Sequence, residues 1–231
     1  MANQMAAFIL GNRAYFEDFV TRSTYHSNRI EGNTLSYRET YAVLFNDNSI
    51  PIKTTSRELY EAINHKYAIS HLLENVEAPA LTETFIKELA TTINKNIDEI
   101  AGYRKHQVLI RGAEHLPPAP AMVGQQMMYF VDNYNASPLE PFEKAATFHI
   151  EFERIRPFSD GNGRTGRLLI NYELIRNELP PIVIAFERRA DYMQMLAQQD
   201  VSALTNLLRQ QCDLEQQRIE TILQAPTRSF P

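Results

Sequence analysis

Glycine is scarce in this chain and unevenly placed: of eight in 231 residues, three fall at Gly161, Gly163 and Gly166. Few glycines, together with apolar residues at helical spacing almost throughout, make a mostly α-helical chain with few strands the economical reading. Leu35 to Asn46 and Ser56 to Leu73 both read as core-facing helices, the second presenting Leu59, Ile63, Tyr67 and Leu72. Pro79 breaks the pattern, and Thr82 followed by Glu83 is an N-cap signal for a third helix through Phe85, Ile86, Leu89 and Ile93. From Val108 to Pro118 β-forming residues surround Gly112, which predicts one short hairpin whose prolines confine its second arm to an edge.

Helical spacing resumes over Gly124 to Tyr134 and Pro141 to Ile155, where Phe142, Ala145, His149 and Phe152 form a stripe and Pro141 suits a first-turn position. Pro157 ends that helix, because the residue before a proline is pushed out of the α region. Another begins within Asn162 to Arg167, carries Leu168, Ile170, Leu174 and Ile175, and stops at Pro180 and Pro181. The last long stretch, Val201 to Leu223, sets Val201, Leu204, Leu208, Cys212, Glu215, Ile219 and Ile222 in a heptad-like row, free to pack on the body or on a second copy of the chain.

With 44% apolar and 22% charged residues the chain has the composition of a folded globular protein. Its length fits a single domain over residues 1–231, an N-terminal helical segment (1–80) joined to a core (81–231). A net charge of −5 argues against a general nucleic-acid binder held by counterion release, while leaving room for a focused anion pocket. Cys212 is alone, which rules out an internal disulfide and a Cys-based zinc site and points to a reducing cytoplasm. Met1 to Leu10 lacks a basic start, and no apolar run approaches the roughly 20 residues of a membrane span.

The chemistry concentrates in Arg156-Pro157-Phe158-Ser159-Asp160-Gly161-Asn162-Gly163-Arg164-Thr165-Gly166-Arg167, between one helix ending and another beginning. Backbone N–H groups in a glycine-rich turn form an anion nest, and the following helix adds its partial positive charge. Arg164 and Arg167 occupy neighbouring positions of the first turn and can fork onto phosphate oxygens, while Asp160 is placed to hold a Mg²⁺ that bridges them. A lone Asp-Gly-Asn-Gly would be an ordinary turn. Two arginines at a helix start, however, oppose the macrodipole unless an anion answers them. Gly161, Gly163 and Gly166 also spell the dinucleotide fingerprint, but no strand precedes them. Arg167 and Leu168 replace the Lys and Ser/Thr of a phosphate-binding P-loop, and Asn171 stands where a calcium loop needs its bidentate Glu.

The stretch resembles the signature of the Fic (Fic/Doc) family, His-x-Phe-x-Asp/Glu-Gly-Asn-Gly-Arg-x-x-Arg, through Phe158, Asp160, Gly161, Asn162, Gly163, Arg164 and Arg167. Ala101-Gly102-Tyr103-Arg104 leading into the hairpin is similar to the family's target-binding flap, here Val108, Leu109 and Ile110. The resemblance implies an all-α Fic-type bundle with one short β-hairpin that binds ATP and Mg²⁺ and transfers AMP to a Ser, Thr or Tyr hydroxyl of a protein, another chain or itself. It implies no nucleic-acid or membrane partner. Gly161, Asn162, Gly163, Arg164 and Arg167 would hold the nucleotide, Asp160 the metal. Asn162 and the residue at position 156 would stand at the catalytic centre.

Ser27-Asn28-Arg29-Ile30-Glu31-Gly32-Asn33 is similar to the inhibitory Ser/Thr-x-x-x-Glu-Gly/Asn helix of self-restrained members. Ser27 and Glu31 share one helical face, so a helix docked beside the nest would present a carboxylate to Arg167 and deny that arginine to the γ-phosphate. Arg156 departs from the family, standing where the general-base histidine belongs. Neutralising an arginine at pH 7 costs more than about 7 kcal/mol, against roughly 3 to 5 kcal/mol from general-base help. The expectation is nucleotide binding with slow or absent AMP transfer, a silent nucleotide-binding regulatory module being the alternative. His149 lies two turns before Arg156 on an apolar stripe and reads as core. His106 and His115 flank the hairpin, and the histidines show no metal-ligand spacing.

Overall fold

The computed structural model describes residues 2–45, 51–108 and 115–224, and within them the chain is helical with no strand. In chain order the helices are α1 (Gln4–Gly11), α2 (Arg13–Ile30), α3 (Tyr37–Phe45), α4 (Ser56–Asn75), α5 (Glu83–Asn94), α6 (Pro120–Ala136), α7 (Pro141–Ile155), α8 (Asn162–Arg176), α9 (Arg189–Gln198) and α10 (Val201–Gln224). None of them is long and apolar enough to cross a membrane.

Caps and prolines set the boundaries. Thr82 accepts a hydrogen bond from the Phe85 N–H at 3.1 Å and starts α5, and Thr55 with Glu58 forms a reciprocal capping box at α4. Pro141 and Pro120 occupy the first turns of α7 and α6, so α6 starts ahead of the expected Gly124. Three helices, α1, α2 and α9, carry too little apolar periodicity to be expected from spacing; Asn3 and Asn12 cap the first two.

At the centre lies α8. Every residue from Asn162 to Ile175 is buried, because α7, α5, α4, α2 and α1 all pack against it. The core therefore divides about the α7/α8 pair: Phe152, Leu168 and Tyr172 face one cluster with α1, α4, α5 and α6, while Ile150, Ile170 and Leu174 face a second with α9 and α10. A helix enclosed on all sides must satisfy its polar residues internally. Asn171 does so by exchanging hydrogen bonds with the Ile182 backbone at 2.7 and 3.1 Å, and Glu173 by accepting from the Tyr134 hydroxyl and from Asn177 Nδ2.

One expectation needs correction. In α4, Tyr67 is 61% exposed, and the buried face is rotated to include Glu61, Asn64 and His65 beside Ala68, Ile69 and Leu72. Apolar spacing misjudges that face because its polar members brace neighbouring backbone: Asn64 Nδ2, for example, donates to the Lys95 carbonyl at 2.6 Å. As for the hairpin, Leu109, Ile110 and the residues to 114 lie outside the described residues, while Val108 and residues 115–119 are not in strand.

The row along α10 packs on the body, against α7 and α2. Glu215 is its polar member because it answers two donors of α2: the Tyr15 hydroxyl at 2.7 Å and both terminal nitrogens of Arg22, at 2.9 and 2.7 Å. Burial, and then Glu215, push the Tyr15 hydroxyl far above its ordinary range, so it stays a donor. Glu215→Ala would leave the Arg22 guanidinium to Asp18 alone and the buried Tyr15 hydroxyl unanswered. It is expected to lower the unfolding free energy in urea by about 2 to 3 kcal/mol, and Tyr15→Phe by about 1 kcal/mol.

Candidate functional site

The loop between α7 and α8 is held from within. Arg156 caps α7 in the left-handed region (φ 44°, ψ 67°), its N–H donating to the Phe152 carbonyl at 2.9 Å. Phe158 is fully buried, in ring contact with Phe152 and Tyr103. Asn162 closes the turn: its Oδ1 accepts from the Phe158 N–H at 3.0 Å and its Nδ2 donates to the Phe158 carbonyl at 2.9 Å. Both ends of the buried Asn162 side chain thus serve as a clasp on the turn. Gly161 has φ 73°, and a Cβ there would stand 2.6 Å from Asn94 Nδ2, the group that donates to the Asp160 carbonyl.

No side chain caps α8, so Gly161, Asn162 and Gly163 open a helix whose first-turn N–H groups and positive dipole end lie uncompensated by the usual device. The compensation comes from α2. Glu31, its C-cap residue, places Oε1 2.7 Å from Arg167 NH2. That oxygen would be 2.2 Å from a Cβ at residue 163, so the approach exists because Gly163 has none. Ser27 completes the clamp: its Oγ accepts from Arg167 Nε and its carbonyl from NH2, both at 3.0 Å. The structure thus brings Ser27, Glu31 and Arg167 together across the chain, with Arg167 only 6% exposed.

Burial raises the Glu31 carboxyl, but Arg167, followed by Arg164 and Arg156, outweighs it and holds the group below its ordinary value of 4.5. Arg167 is held far above the usual arginine range: burial opposes its charge, and Glu31, Tyr192 and Glu153 more than restore it. Around this pair sit two buried neutral histidines. Burial, then the charges of Arg167 and Arg164, lower His65 to about 3, and burial with Arg167 lowers His149 to about 3. His149 bonds the Tyr192 hydroxyl at 2.6 Å, which confirms it as a core residue.

Arg164 does not share the nest with Arg167. It is 1% exposed, 3.5 Å from Glu61 Oε1 and 3.6 Å from Asp160 Oδ1. Residues three apart on a helix diverge by about 60°, so on an enclosed helix one guanidinium meets α4 and the other α2. Asp160 receives the Gly161 N–H on Oδ1 at 2.6 Å and is ion-paired through Oδ2 with Arg57 of α4. Burial raises the Asp160 carboxyl, but Arg164, the Gly161 N–H and Arg57 together hold it below its ordinary value. No cluster of three His, Cys, Asp or Glu that could hold a metal ion exists among the described residues.

Arg156 keeps its side chain 3.4 Å from Glu153 Oε2. Arg104, which motif reading passed over, ties this turn to the flap stems. Its N–H donates to the Pro157 carbonyl at 2.8 Å, and its guanidinium to the carbonyls of Arg156 (2.8 Å), His106 (3.1 Å) and Pro118 (2.6 Å). The sequence signal was a lone arginine beside the flap, with nothing to mark its partners. Of the flap residues, Val108 lies among the described residues and Leu109 and Ile110 do not.

Residues 80–174 match the Fic/DOC family model. The chain is 35% identical over 193 residues to a protein of Nematostella vectensis named "Protein adenylyltransferase Fic", covering 80% of this chain and 43% of that protein, so it spans less than half of the relative's length. In structure it is similar to a Fic domain containing signaling protein from Bacteroides thetaiotaomicron (TM-score 0.79, 28% identity, 87% of this chain and 85% of that chain). It is also similar to Fic-1 from C. elegans, residues 134–508 (TM-score 0.76, 31% identity, 90% and 65%).

Because the Glu31 carboxyl is held below its free value, the stability it contributes is complete above pH 4.5 and is lost as pH falls through the lower folded value. Glu31→Gln is expected to melt below the parent by a margin that is constant from about pH 8 to about pH 5 and narrows only in more acidic buffer. A margin already shrinking near neutrality would contradict the pairing.

Proposed function

The chain belongs to the Fic/DOC family through the domain it carries at residues 80–174, and from that premise we propose that it is a protein adenylyltransferase restrained by its own helix α2. The observation that carries the reading is the seat of the Glu31 carboxylate, over Gly163 and on Arg167, at an α8 N-terminus that no side chain caps. A carboxylate is the chain's own stand-in for the anion this end of the helix is built to receive.

In the released state the first-turn N–H groups of α8 cradle the phosphates of ATP and Arg167 binds the γ-phosphate, a fork-shaped donor suited to it. Asp160 is the residue that would hold Mg²⁺, a lone carboxylate being the usual protein share of a nucleotide-bound ion, which neutralises phosphate charge. A target segment bound beside this loop sets its Ser, Thr or Tyr hydroxyl in line with the α-phosphorus. The target oxygen bonds to that phosphorus, the bond to pyrophosphate breaks, and the hydroxyl proton must leave. Arg156 cannot take it, so the chain binds nucleotide and transfers AMP slowly. A lone buried Cys212 that forms no disulfide is compatible with a reducing, cytoplasmic setting.

Label transfer from ATP labelled at the α-phosphate onto the chain or a lysate protein tests this. Arg156→His combined with Glu31→Gly is expected to exceed Glu31→Gly alone by about 10² to 10⁴-fold. ATP binding without transfer in either variant would favour a silent nucleotide-binding module instead.

A further inference from the structure

Besides Ser27 and Glu31 on Arg167, and Glu61 near Arg164, the N-terminal segment meets the motif loop through Arg57, 103 residues away from its partner in sequence, whose NH2 pairs with Asp160 Oδ2. Since Asp160 Oδ1 already accepts the Gly161 N–H and faces Arg164, Oδ2 is the oxygen a cation would need. A guanidinium there repels a divalent ion as well as covering its ligand.

Arg57 does not act alone. Its Nε donates to Glu61 Oε1 at 3.1 Å, and the same buried carboxylate lies 3.5 Å from Arg164. On its other side, Glu61 Oε2 accepts from Asn33 Nδ2 at 2.8 Å. Asn33 belongs to the turn that ends α2: its N–H, like that of Glu31, donates to the Asn28 carbonyl, at 3.1 and 3.0 Å. An unbroken chain of contacts thus runs from Asp160 through Arg57, Glu61 and Asn33 to the turn that carries Glu31.

We infer that Arg57 is a positioning residue that keeps the Asp160 carboxylate from a divalent cation, and that through Glu61 and Asn33 it couples metal loading to release of Glu31. The inference rests on the reading of this loop as a nucleotide and cation site. When a cation displaces Arg57 from Asp160, the guanidinium falls back on Glu61 and competes with Asn33 for it, slackening the turn that aims Glu31. By reciprocity, withdrawal of Glu31 strengthens cation binding by the same factor.

Calorimetric titration of the full chain with ATP, with and without Mg²⁺, separates the effects. Arg57→Ala, at a half-exposed side chain, is expected to tighten binding about fivefold with Mg²⁺ and leave metal-free binding unchanged, and Arg57→Lys to restore most of the parent behaviour. With Glu31→Gly as background the Mg²⁺-dependent gain is expected to shrink, because the brake is already off. Equal gains with and without Mg²⁺, or an unreduced gain in the Glu31→Gly background, would overturn the coupling. Failure of the parent and of Glu31→Gly to bind ATP under either condition would overturn the nucleotide reading itself, and this inference with it.

Discussion

A guanidinium enclosed in protein must be answered by negative charge, and in this molecule that demand organises everything near the motif. Arg167 emerges from a helix with no exposed face, and its answer comes from a carboxylate and a serine on α2, 136 and 140 residues earlier. To deliver them α2 must cross the open end of α8, which explains why its buried face is polar: Thr21, Ser23, Thr24, Ser27 and Asn28 line it. Helix α2 in turn is pinned at its far side by Glu215 of α10. The seat of Glu31 on Arg167 is therefore held by the C-terminal helix as well as by the pair itself.

The same enclosure separates the two motif arginines. Sequence spacing sets them one turn apart and suggests a joint grip on phosphate, but burial assigns one to the α2 carboxylate and the other to Glu61 and Asp160. Glu61 then serves three partners, Arg57, Asn33 and Arg164, from a position that pattern reading would leave on a solvated face. Multiply bonded buried carboxylates of this kind hold loops in register more than they add net stability.

What the sequence disclosed follows from what is local. The limits of α7 were legible because Pro141 and Pro157 act within one turn, and the start of α5 because Thr82 caps its own helix. Glycine clustering and the arginine pair singled out the loop before α8, and the resemblance of Ser27 to Asn33 to an inhibitory helix, more than its spacing, pointed to Glu31 on Arg167. Helices α1 and α2 were not legible from apolar period, since α2 buries as many polar as apolar groups. Arg57, Arg104 and the clasp of Asn162 were hidden for a different reason: each is defined by partners that only the folded chain brings near.

The turn at Arg156 fixes its backbone without reference to its side chain. The left-handed conformation is secured through the main-chain atoms of Arg156: its N–H donates to the Phe152 carbonyl and its carbonyl accepts from the Arg104 guanidinium. Histidine and arginine codons can differ by a single base. The shape of this socket is therefore set apart from the side chain seated in it, so an exchange at residue 156 requires no rebuilding of the turn around it.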